Sequence, residues 1–173
     1  MRVPLRTAGA ALAAGVAADA VNTAMLWGFD ALGVPTAHGG LLRLLKGSAD
    51  AALATARVGA LPTPTSAFQI GFHAAVGLAM ALGYAAAEPH LPGPPWSKAL
   101  ATALAVWLVN AALVLPATGE GLAGSHHLGG LGIAAFALAH TAFFLVLAEA
   151  YARLRPIHHS RKAIGPCRAQ TAR

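Results

Sequence analysis

One cysteine, few acidic residues and a 6% share of aromatics leave this chain of 173 residues short of most of what builds a soluble domain. The lone Cys167 excludes a disulfide scaffold. Charged residues amount to 10%, against about 25% in ordinary soluble domains, which excludes a disordered chain and a typical water-soluble enzyme. No G-x-S-x-G, P-loop, H-E-x-x-H or C-x-x-C occurs, so no standard catalytic motif supports an enzyme. The net charge of +6 is too thinly spread for a nucleic-acid surface, because long stretches carry no charge at all. Abundant instead are apolar residues, 57% of the chain, with a mean hydropathy of +0.61. That is the composition of a polytopic membrane protein whose main partner is the lipid bilayer.

A hydrocarbon core about 30 Å thick takes roughly 20 mainly apolar residues in a helix. Four segments supply them, at about residues 5–29, 66–87, 98–118 and 130–154. They are long, rich in Ala and Leu, and do not alternate apolar with polar, so helices are favoured over barrel strands. The first also reads as a signal peptide, with Arg2, Arg6, an apolar run and Ala18-Asp19-Ala20 as an A-x-A site. Its apolar sequence continues through Met25, Leu26, Trp27 and Phe29, so a retained helix is expected. In the first loop, residues 40–61 interleave Leu41, Leu42, Leu44 and Leu45 with Arg43, Lys46, Asp50 and Arg57. This is the pattern of an amphipathic segment lying along the interface, with a plain solvent loop as the alternative. Residues 155–173 form a basic tail.

Basic residues near the span ends set the orientation. With the N-terminus inside, Arg2, Arg6, Lys98 and the tail residues from Arg153 to Arg173 are cytoplasmic, and only Arg43, Lys46 and Arg57 lie outside. The chain is expected to cross the membrane several times, with both termini in the cytoplasm. The two halves of the chain also resemble each other. Val21-Asn22-Thr23-Ala24 parallels Val109-Asn110-Ala111-Ala112, and His73 precedes Tyr84 by the same interval that separates His140 from Tyr151. The expected fold is therefore all-α: a membrane four-helix bundle made of two parallel helical-hairpin repeats, packed in sequence order. Small residues four apart, such as Gly71–Ala75 and Ala101–Ala105, would let helices approach closely, unless they reflect only an alanine-rich genome.

Polar groups inside the spans are the candidates for function. They are Asp19, Asn22, His73, Asn110 and His140, with Tyr84 and Tyr151 on the faces that carry the two histidines. Three readings compete. The residues hydrogen-bond across helices as structural glue. Alternatively His73 and His140 hold haem b or a transition metal between diagonal spans, as an electron carrier, with Asp19 or an asparagine fixing the ring tautomer. In the third reading Asp19, the histidines and the tyrosines form a proton or small-solute pathway. A weaker metal site combines His38, His126 and His127 with Glu120, at a spacing that matches no strong zinc pattern. The leading expectation is a non-enzymatic accessory or structural subunit of a larger membrane complex, or a homo-oligomer.

Leu91-Pro92-Gly93 followed by Trp96, then Trp107, Pro116 with Gly119 and Gly121, and His140 with Tyr151 carry a family resemblance. Phe72-His73 and Pro35 fit it in the first half. The chain resembles small bacterial inner-membrane proteins of unknown function, of the YagU-like and related uncharacterised type, over residues 10–154. The resemblance implies four transmembrane helices and an unassigned activity. His126-His127 and the basic tail depart from it.

Overall fold

The computed structural model describes residues 5–36, 39–57 and 59–155. Among them every regular element is helical: α1 (Leu5–Ala31), α2 (Gly40–Thr55), α3 (Ser66–Ala87), α4 (Pro95–Val109), α5 (Leu115–Ala117) and α6 (Gly130–Leu154). A π-helical turn, Asn110–Val114, joins α4 to α5, so these form one continuous crossing. Four helices are long and apolar enough to cross a membrane: Thr7–Ala31, Ser66–His90, Pro95–Ala117 and Gly130–Leu154.

Local chemistry sets the ends of these helices. Thr65 caps α3, its hydroxyl accepting from the Phe68 N–H at 3.2 Å. The stretch Pro89 to Pro95 follows α3, and proline there removes the donors a helix would need. The π turn has the same origin. Pro116 offers no N–H to the turn before it, and the Leu115 N–H reaches back five residues to the Asn110 carbonyl.

Helices α1 and α6 are the central pair, with α3 packed on α1 and α4 on α6. Along α1, Ala11, Ala14, Ala18, Asn22 and Leu26 are buried at three- and four-residue intervals, the period of one helix face. Opposite them α6 buries Phe136, Ala139, Phe143, Leu147 and Tyr151. Small residues on one helix thus receive large ones from the other. In lipid, such van der Waals fit is what holds helices together, since lipid tails are as apolar as leucine. On the other face of α1, a Cβ at Gly15 would lie 2.7 Å from the Ala81 Cβ, so α3 approaches there almost to backbone contact.

A bundle packed in sequence order would also join the second span to the third. Here α3 and α4 do not pack along their lengths, and the ring of helices is open on that side. The proline-rich link separates the two helices, while small residues draw α3 onto α1.

Ion pairs fasten both ends. At one end Glu88, buried after α3, accepts from Lys98 Nζ of α4 at 2.5 Å and from Arg155 beyond α6 at 2.8 Å. At the other, buried Glu120 pairs with Arg43 of α2 and lies 3.9 Å from His127. These are called the Glu88 end and the α2 end below. Helix α2 is amphipathic, shorter than its 40–61 segment, and seated against α5 and the π turn.

Candidate functional site

The polar residues of α1 and α3 meet inside the membrane-spanning region. Asp19 lies at the middle of the span Thr7–Ala31, and Asn22 follows one turn later on the same face. Antiparallel pairing matches Gly15 with Ala81, Asp19 with Gly77 and Asn22 with His73. Gly77 makes room for the carboxylate: a Cβ there would stand 2.6 Å from Asp19 Oδ1. His73 Nε2 is 3.2 Å from Asn22 Oδ1 and 3.5 Å from Asp19 Oδ1. With its proton on Nε2, the imidazole donates to the amide oxygen while the carboxylate stands beside it. Asn22 is buried, Asp19 keeps 16% of its side chain accessible and His73 keeps 43%.

His140 comes from α6. Its Nδ1 is 2.9 Å from the Phe136 carbonyl, one turn back on its own helix, and its ring rests on the Phe136 ring at 4.3 Å between centroids. It lies within electrostatic range of His73. Asn110 does not join this group by any hydrogen bond; it opens the π turn of the third crossing. Tyr84 and Tyr151 meet edge to face, 6.0 Å between centroids, near the Glu88 end rather than beside the histidines.

Between the polar group and the Glu88 end the bundle is filled. Ala11, Ala14, Ala18, Ala81, Phe143, Phe144, Leu147 and Tyr151 form one buried apolar cluster there. Toward the α2 end Leu26, Leu115, Leu128, Phe136 and Ala139 form a second buried cluster, but no residue of α3 before Gly77 is buried. The polar group therefore sits where α3 stops being packed.

The loop histidines are arranged differently. His126 Nδ1 is 2.9 Å from the Gly119 carbonyl, and His127 faces Glu120. His38 lies outside the described residues, and among those described no three His, Cys, Asp or Glu side chains converge as metal ligands. The ion-pair cluster around Glu88 is the feature that the sequence reading passes over. Its signal is a single acid closing α3, ten residues before the only lysine of the third span.

Comparison with family models, curated proteins and solved structures finds no match to this chain.

Proposed function

We propose that this chain is a non-enzymatic integral membrane protein that serves as a subunit of a larger assembly. The observation that carries this reading is the open side of the bundle. The flanking spans bury 22% of their most apolar windows, against 39% and 44% for the central pair. An imidazole on α3 is left 43% accessible at a depth where water is scarce. Ionisable groups facing hydrocarbon are costly, and such groups normally meet protein or a watered cavity. A second protein surface along α3 would remove that cost. The distribution of Lys and Arg supports both termini in the cytoplasm. The paired Asn and His-Tyr motifs support an origin from two helical-hairpin repeats.

Native mass spectrometry after extraction from the source membrane in a mild detergent tests the reading. The expected result is the 17.4 kDa chain in fixed stoichiometry with other subunits. The chain running alone would refute it, and a pure homo-oligomer would replace the accessory role with self-assembly.

A further inference from the structure

We propose that Asp19 and His73 form a proton-binding site inside the membrane, open toward the α2 end of the bundle and closed toward the Glu88 end. The inference goes beyond the subunit reading and does not depend on it. Asp19 is an acid at mid-span, and among the described residues no Lys or Arg stands against it. Its ionisable neighbour is His73, at 3.5 Å. With the carboxylate ionised and the imidazole neutral, the pair holds one uncompensated negative charge in a low-dielectric setting, an arrangement that is strongly disfavoured. One proton removes that charge. It resides on His73 Nδ1, giving an imidazolium that faces the carboxylate through Nε2–H. With or without that proton the Nε2–H donates to Asn22 Oδ1, so the proton is taken up without rebuilding the hydrogen bond.

The surroundings make this a one-sided site and not a pathway. His140 on α6 is the further titratable group facing the pair, and its Nδ1 is committed to the Phe136 carbonyl. Toward the Glu88 end packed alanines with Phe143, Phe144 and Leu147 stand between the pair and the nearest hydroxyls, those of Tyr84 and Tyr151 near Glu88. Toward the α2 end the other helices close on Leu26, Leu115, Leu128 and Phe136, but no residue of α3 before Gly77 is buried and 43% of the His73 side chain is accessible.

The test is nitrogen NMR of the full-length protein in liposomes, with the histidine rings labelled and His73→Gln used to assign the His73 signals. We expect the His73 ring to pass once between its neutral and cationic forms as pH is varied. Asp19→Asn should weaken proton binding at His73 about tenfold or more, because the neighbouring negative charge is gone. Ring signals of the native protein that do not move with pH, or the same titration in Asp19→Asn, would overturn the shared site. Two further measurements need no variant. A shift produced at fixed pH by exchanging sodium for choline would identify a metal cation as the ligand and overturn the proton. In vesicles whose protein exposes the basic tail to the medium, acidifying only the medium should leave His73 unchanged while the lumenal pH holds. A prompt response would overturn the closed end.

Discussion

At the scale of single residues, glycine and aspartate explain each other. Gly77 is where α3 lacks a side chain, and the Asp19 carboxylate occupies that space. Gly77→Ala places a methyl within 2.6 Å of Asp19 Oδ1, so the acid must leave or the helices must part. We expect a loss of about 1–3 kcal/mol, the usual range for overpacking, read as a lower unfolding midpoint in detergent. Loss of the Asn22–His73 contact should appear in the same variant. A second residue-scale prediction concerns the amphipathic helix α2. Asp50 accepts from Lys46 at 2.5 Å and from the Leu61 N–H at 2.7 Å, and these bonds hold its carboxyl below the ordinary carboxylate value of 3.8. A depressed folded-state value means that the stabilisation is fully present above the unfolded value and is lost as pH falls through the folded one. The protection of the Leu61 amide against exchange, relative to its intrinsic rate at each pH, is therefore expected to be constant between neutral pH and about pH 5 and to fall below the unfolded value. The reference is Asp50→Asn, which lacks this acid dependence.

At the scale of elements, the crossings were legible and their neighbours were not. Length and hydropathy placed the second and fourth spans at residues 66–87 and 130–154, because lipid demands an unbroken apolar helix and proline or glycine ends it. The first helix extends to Ala31, and the third crossing begins at Pro95, where proline fits the first helical turn. The π turn at Asn110 was out of reach, since Pro116 alone does not tell whether a helix kinks, breaks or inserts a residue. Helix pairing was hidden for a related reason. All four spans carry small and apolar residues on several faces, and composition does not say which face meets which. The contacts at Gly15 and Gly77 decide it, and they are visible only in three dimensions. In the candidate site, Asp19, Asn22 and His73 could be named from sequence, whereas the separation of Tyr84 and Tyr151 from them could not. The Glu88 cluster is the element-scale counterpart of this lesson. It joins the end of α3, the start of α4 and the end of α6 through one buried carboxylate. Glu88→Ala leaves Lys98 poorly hydrated and frees Arg155, which is half exposed and contributes little alone. The expected cost is about 1–3 kcal/mol, less than for a fully buried pair, measured as a drop in unfolding midpoint. Glu88→Gln should recover part of it through its remaining hydrogen bonds.

At the scale of the molecule, the bundle is uneven. Its Glu88 end is packed around a core of alanine, phenylalanine and tyrosine, while toward the α2 end α3 stands with its first turns unburied. His73 and Asp19 lie at the boundary between these regimes, and α3 and α4 do not pack along their lengths. We propose that another protein surface lies along that side. Site-specific photo-crosslinking in the source membrane addresses this most directly, with a photoreactive residue at exposed Ala75 on α3. The account predicts a discrete higher-mass adduct with one protein partner. Adducts with lipid alone would contradict it.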